Sequence, residues 1–242
     1  MFNENPKKEE LQYIAVDDKN KILFCALQKV ASSTWLRLLE HVLGIAGGNR
    51  WDVFPRFSEY SEKERSLKLK TYFKFFFVRE PLERLLSAYK HKFVQTPHYS
   101  KEIRKVMVQA LRPQDYEPHG ENFVSFSEFV QYFSSNVSRN QHWRQYEKIC
   151  HPCAINYDFI GHFETMGDDG PVVLKLAGID DRATFPPIYK STGSDEVLEY
   201  YSQVPPQYIK RLGEQYRNDF EMFGYEYLGS VKRLLNKSIS ND

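Results

Sequence analysis

Apolar positions fall into short runs and helical stripes that alternate along the chain. Lys21 to Leu27 contains the run ILFCAL, the length of a buried strand. The loop Gln28-Lys29-Val30-Ala31-Ser32-Ser33-Thr34 follows. Trp35, Leu38, Leu39, Val42 and Leu43 then recur at i, i+3, i+4, i+7 and i+8, which is the spacing of one buried helix face, and Ser33 or Thr34 is placed to cap it. Tyr72 to Val78 (YFKFFFV) repeats the logic. It ends at Arg79-Glu80-Pro81, where Pro81 suits a first helical turn, and Leu82, Leu85, Leu86, Tyr89 and Phe93 form the next stripe. Two strand-to-helix units predict a parallel sheet.

Farther along, Ser125 and Glu128 read as a capping box ahead of Phe126, Phe129, Val130 and Phe133. Tyr157 to Phe163 reads as a strand, Gly170 to Ala177 as a short helix closed by Gly178, and Pro205 to Phe223 as a helix stopped by Gly224. Residues 97–121 are polar, contain proline and lack a clear period, so they are expected to form an excursion near the site.

Composition narrows the class. With 242 residues, 41% hydrophobic and 27% charged, the chain fits one globular α/β domain, and both disorder and a fibrous structure are excluded. A net charge of +1 gives no general reason to expect nucleic acid or a membrane surface, so an anion site has to come from local clustering. Arg84, Lys90, Lys92, Lys101, Arg104 and Lys105 face only Glu102 in their stretch, which reads either as a surface for an anionic partner or as a solvated helix face. No run approaches the roughly 20 apolar residues of a membrane span, and the N-terminus has no signal-peptide core. Two acceptor triplets, Asn136-Val137-Ser138 and Asn236-Lys237-Ser238, point weakly the other way, to a secretory route.

Cys150-His151-Pro152-Cys153 admits a redox site, half a zinc site or a local disulfide. A thioredoxin-type motif opens a helix after the first strand, whereas this one lies beyond mid-chain, and no second Cys or His pair stands at zinc-ligand spacing.

Candidate chemistry concentrates at the two strand ends. A loop from a parallel strand into a helix presents backbone N–H groups and a positive dipole end, to which Lys29 and the hydroxyls of Ser32, Ser33 and Thr34 add donors. This predicts a phosphate cradle, though the G-x-x-x-x-G-K-[ST] pattern is absent. Arg79 stands at the carboxyl end of the second strand, where open α/β sheets bind ligands, and its planar fork suits a phosphate. Ser87, two turns into the next helix, adds a donor. The plainer readings of the same residues are a capped helix with an incidental lysine and a surface arginine paired with Glu83.

Leu69 to Phe93 (LKTYFKFFFVREPLERLLSAYKHKF) together with QKVASSTW (Gln28 to Trp35) resembles the donor-binding segments of the carbohydrate sulfotransferases. That group includes the chondroitin and dermatan 4-O-, N-acetylgalactosamine 4-O- and HNK-1-type enzymes. The likeness continues, in order, through NQHW (Asn140 to Trp143), CHPC, YDFIGHFET (Tyr157 to Thr165), LKLAGI (Leu174 to Ile179), FPPIYKST (Phe185 to Thr192) and DFEMFGY (Asp219 to Tyr225).

The resemblance implies a P-loop-like three-layer α/β fold with a central parallel sheet flanked by helices. It implies a catalytic domain over 13–230 with terminal tails at 1–12 and 231–242. The co-substrate would be 3′-phosphoadenosine 5′-phosphosulfate (PAPS), with no metal. Lys29 would meet the 5′-phosphate and bridging oxygen, with Gln28 and the backbone of Val30, Ala31, Ser32, Ser33 and Thr34 around it. Arg79 and Ser87 would hold the 3′-phosphate, and Glu83, Arg84 and Lys190 would complete the donor side. Gln28 stands where family members typically have proline, which frees a backbone φ and loosens the cradle.

The acceptor hydroxyl needs a base. His142 in Asn-x-His-Trp is the first candidate, against a structural histidine packed on Trp143. His91 and Glu164 follow. The acceptor would be a glycosaminoglycan or glycoprotein glycan. FPPIYKST looks more like the N-acetylgalactosamine 4-O enzymes than the glucuronate-sulfating HNK-1 type. A nucleotide-dependent kinase and a non-catalytic glycan-binding descendant are the rivals, separated by whether a 3′-phosphate is recognised and a bisphosphate released. The family's setting is the Golgi lumen in type II membrane proteins, so an anchor and stem are expected ahead of this chain. In that oxidising setting Cys150 and Cys153 are expected in disulfides, with a bond to Cys25 as an open alternative; three cysteines leave one unpaired, and buried Cys25 is the choice for the free thiol.

Overall fold

The computed structural model describes residues 6–45, 50–135, 140–188 and 193–236. The chain divides into two compact units, Met1–Arg79 with Arg144–Tyr189, and Glu80–Trp143 with Lys190–Asp242.

The first unit carries a four-stranded sheet in the order β1-β2-β3-β4. β2 (Ile22–Cys25), β3 (Phe73–Val78) and β4 (Phe159–His162) are parallel, as the strand-to-helix pattern predicts. β1 (Ile14–Asp17) adds an antiparallel edge that the sequence pattern does not reveal, because four residues buried throughout leave no alternation to read.

β3 is buried on both faces, which explains the consecutive aromatics Phe75, Phe76 and Phe77. On one face Trp35 of the Ser32–Leu43 helix meets Phe75 at 4.9 Å and Phe77 at 5.3 Å between centroids, and it also touches Phe185 at 4.8 Å. On the other face Phe76 packs edge-on to Tyr157 at 4.5 Å. Gly161 pairs with Phe77 in the ladder, and a Cβ there would lie 2.2 Å from that ring, so only glycine fits. Trp35 ties the Ser32–Leu43 helix to β3, and the loop from Ala26 to Ala31 joins the end of β2 to that helix.

Helix limits differ from expectation where local signals compete. The helix expected from Gly170 begins at Met166 and runs to Leu176, since Gly167, Gly170 and Pro171 obscure its start; Gly178 closes it at φ 66°.

The second unit is helical. Pro81–Tyr89 continues into a π-helical turn, Lys90–Gln95, and the whole predicted stripe from Leu82 to Phe93 is buried. The capping box forms as predicted: the Glu128 N–H donates to Ser125 Oγ at 3.3 Å, and the Ser125 N–H donates to Glu128 Oε2 at 2.8 Å. The stretch 97–121 contains an unanticipated helix, Lys101–Leu111. Arg104 lies on its buried face and donates to the Pro97 carbonyl at 3.1 Å, so a charge interrupts the apolar stripe. The helix expected over Pro205 to Phe223 is two, Pro206–Gln215 and Arg217–Met222, broken at Tyr216.

No helix among the described residues is long and apolar enough to cross a membrane.

Candidate active site

In the first unit, the carboxyl edge of the parallel strands gathers most of the anticipated chemistry. The β2 loop begins at Gln28 and Lys29, both half-buried, and anchors through Val30, which is fully buried. Lys29 and Ala31 both adopt left-handed backbone, with φ 71° and 58°. That conformation costs roughly 1–2 kcal/mol for a residue with a Cβ. Two such residues in a glycine-free loop are the strain expected of a backbone shaped for a ligand.

Ala31, rather than Ser33 or Thr34, caps the helix, and no side chain accepts a capping bond there. Its carbonyl takes the N–H groups of Thr34 at 2.9 Å and Trp35 at 3.3 Å. The amides of Ser32 and Ser33 are the first-turn donors with no carbonyl one turn back. Ser32 is buried, Thr34 is partly buried and Ser33 is exposed. A lysine, a helix start and first-turn amides converge on one loop, which is the donor set an anionic phosphate needs.

Arg79 follows β3 directly, in the strand adjacent to β2. It is 1% exposed, and its guanidinium lies 4.6 Å from the centroid of Phe163, which follows β4. A guanidinium held over a ring face gains a cation–π contact, and its planar fork suits bidentate phosphate recognition. Glu164, one residue on, is half-buried at the same edge.

A short segment behind the edge, Tyr146 to Cys150, fastens both strand ends. The Arg79 N–H donates to the Tyr146 hydroxyl at 3.1 Å, and that hydroxyl donates to the Arg79 carbonyl. Cys150 is joined to Cys25, the last residue of β2, with Cα atoms 5.7 Å apart.

This pairing corrects the cysteine expectation: Cys25 is bonded, and Cys153 is the exposed free thiol. The reason is local geometry. The helical turn Glu147–Cys150 ends at His151, whose φ of 50° reverses the chain. Cys150 therefore stays buried beside β2 while Cys153 turns outward. Neither Tyr146 nor the cross-link is apparent in the pattern of apolar residues. The one available signal is that Tyr146 and Cys150 stand four residues apart, which is a single helical turn.

The second unit holds the remaining candidates. Glu80 caps the Pro81–Tyr89 helix by accepting from the Glu83 N–H at 2.6 Å. Ser87 and Arg84 are buried on that helix. Arg84 donates to the Gln141 carbonyl at 3.1 Å, which brings it to the segment bearing His142. His142 is half-buried, its N–H donates to Asn140 Oδ1 at 3.0 Å, and its ring lies 6.1 Å from Trp143. Trp143 is anchored on Phe133 at 4.6 Å, and its carbonyl accepts from the Tyr216 hydroxyl. Burial pushes the Tyr216 phenol up, so it stays protonated and keeps donating. His91 sits on the π-helical turn, half-buried.

The basic stretch does not present one cationic face. Arg84 and Arg104 are buried, Lys90 is paired with Glu196, and Lys105 with Glu102 at 3.3 Å. Lys190 and the Asn136 triplet lie outside the described residues, as do Lys237 and Ser238 of the second triplet.

Comparison with known proteins bears on what this edge does. The profile of the sulfotransferase family matches residues 12–226. Carbohydrate sulfotransferase 10 of Homo sapiens is 36% identical over 246 residues, covering 89% of this chain and 67% of that protein. The Gallus gallus protein of the same name is 36% identical over 245 residues, covering 89% and 67%. Carbohydrate sulfotransferase 14 of Danio rerio is 35% identical over 235 residues, covering 90% and 64%. No solved structure matches significantly.

Proposed function

Since this chain belongs to the sulfotransferase family, we propose that it transfers a sulfuryl group from PAPS to a sugar hydroxyl, using the β2 loop and Arg79 to grip the donor. The family assignment displaces the nucleotide-dependent kinase as a rival. The observation that carries the donor reading is the placement of Lys29 and Arg79 at the carboxyl ends of adjacent parallel strands. One lies in a strained helix-start loop and the other is a buried guanidinium over the Phe163 ring. Two cationic grips on one sheet edge fit a nucleotide with two separate phosphates.

When bound, PAPS supplies an activated sulfuryl group whose transfer leaves adenosine 3′,5′-bisphosphate. Lys29 places an ammonium beside the 5′-phosphate oxygen, where negative charge grows as the sulfur–oxygen bond breaks. The first-turn amides of Ser32 and Ser33 support the same charge through the helix dipole. Arg79 holds the 3′-phosphate that ATP lacks, the role that the family resemblance gives also to Ser87. His142 accepts the proton released by the attacking hydroxyl, with Glu164 as the alternative on the Arg79 edge.

The acceptor we assign is the 4-hydroxyl of N-acetylgalactosamine in a chondroitin- or dermatan-type chain, supported by the FPPIYKST stretch. The buried Cys25–Cys150 cross-link suits an oxidising compartment, which supports a Golgi lumenal setting.

A labelled-sulfate transfer assay against chondroitin, dermatan and glucuronate-terminated glycans tests the reading. Incorporation into the galactosamine polymers, with stoichiometric bisphosphate release, is expected. Incorporation only into the glucuronate-terminated glycan would reassign the acceptor. Glycan binding without bisphosphate release would make the chain a non-catalytic member. His142→Ala is expected to lose about 10²–10⁴-fold in kcat, the usual worth of a general base; the same loss in Glu164→Gln, with His142→Ala active, would transfer the role.

A further inference from the structure

The donor reading needs two grips at a fixed separation, and the sheet ladder alone does not provide one. Register pairs between β2 and β3 run from Ile22↔Phe73 to Phe24↔Phe75, whereas β3 continues to Val78 beside β4. The Lys29 loop thus departs from its neighbour several residues before Arg79 is reached. Another element has to relate the two ends.

The Tyr146–Cys150 turn does so. At one end, the Tyr146 hydroxyl bonds both the N–H and the carbonyl of Arg79, so the backbone is held on both sides of the Arg79 Cα rather than at a single atom. At the other, Cys150 is covalently joined to Cys25, where β2 gives way to the Lys29 loop. Between them the backbone is helical: Tyr146 has φ −62° and ψ −42°, and the Cys150 N–H donates to the Tyr146 carbonyl at 2.9 Å. Four residues of helix rise about 6 Å, a length that does not stretch. The Tyr157 hydroxyl also donates to the Cys150 carbonyl at 2.7 Å, a bond that adds no link between Arg79 and Cys25. Tyr146, Cys150 and Cys25 are all fully buried.

We propose that this turn is a spacer that sets the distance between the 5′-phosphate loop and Arg79, which makes Tyr146 a positioning residue for recognition of the 3′-phosphate. The inference rests on the donor reading above. It adds that selectivity for a 3′-phosphorylated nucleotide is built in through a residue that does not touch the nucleotide. Loosening the Arg79 peptide should blunt the 3′ grip and leave the 5′ grip largely intact.

Calorimetric titration with adenosine 3′,5′-bisphosphate and with adenosine 5′-monophosphate separates the possibilities. The wild type is expected to prefer the bisphosphate. Tyr146→Phe keeps the ring and removes both hydrogen bonds, so its bisphosphate affinity is expected to fall about tenfold, with the monophosphate nearly unchanged. Tyr157→Phe removes a comparable hydrogen bond from the same turn without touching Arg79, and should leave the ratio of the two affinities as in the wild type. Cys150→Ser cuts the other end of the turn and is expected to lower the ratio as well, which keeps the test open if Tyr146→Phe folds poorly. A wild-type ratio in Tyr146→Phe, or an equal drop in Tyr157→Phe, overturns the spacer. If wild-type protein binds neither nucleotide, the donor reading falls and the spacer with it.

Discussion

Replacing Lys29 with alanine is expected to lower kcat for sulfate transfer by about 10²–10³-fold, the usual loss when one preorganised group opposite a developing negative charge is removed. The argument is electrostatic. The bridging oxygen gains charge only as its bond to sulfur breaks, so an ammonium beside it stabilises the transition state more than the bound donor. The loss should therefore fall mainly on kcat, with a smaller rise in donor KM. Thermal stability should hardly move, because Lys29 is half-buried in a loop that Val30 and Trp35 anchor without it. Lys29→Arg keeps the charge on a longer, planar head and should recover part of the rate. A Lys29→Ala enzyme within threefold of wild-type kcat would remove this lysine from the chemistry.

Cutting the Cys25–Cys150 cross-link should have the largest effect on stability. It joins positions 125 residues apart, and a loop of that length implies about 5 kcal/mol of stabilisation through the unfolded chain. Cys25→Ser is expected to lower the melting temperature by about 10–20 °C for a chain of this size. Cys153→Ser should stay within about 0.5 kcal/mol of wild type, because that thiol is exposed and unbonded. The pair of variants, followed by thermal melts, decides between this pairing and a local Cys150–Cys153 bridge. The latter would make Cys153→Ser the damaging change and leave Cys25→Ser mild.

The sequence reads well where local physics decides. The switch from an apolar run to a helical stripe marks the β2 loop and places Lys29 at a helix start. Pro81 after Arg79-Glu80 marks the second strand end just as clearly. Both predictions need only strand length, helix period and a capping or proline signal.

Features that depend on distant partners are hidden. The left-handed backbone at Lys29 and Ala31 carries no glycine to announce it. The burial of Cys25 is legible, yet burial alone points to a free thiol, because nothing local shows that Cys150 lies beside it. Arg104 occupies a buried position of the Lys101–Leu111 helix beside Met107 and Val108, so a charge sits among the apolar positions that would announce it. Tyr146 is one turn from Cys150, but its partner is a backbone peptide 67 positions away, and a peptide leaves no mark in a sequence.

A crystal structure with adenosine 3′,5′-bisphosphate bound tests the central claim most directly. The account predicts one nucleotide along the carboxyl edge of the parallel strands, its 5′-phosphate in the Lys29 loop and its 3′-phosphate on the Arg79 guanidinium. A nucleotide seated elsewhere, or bound at that edge with its 3′-phosphate away from Arg79, would contradict it.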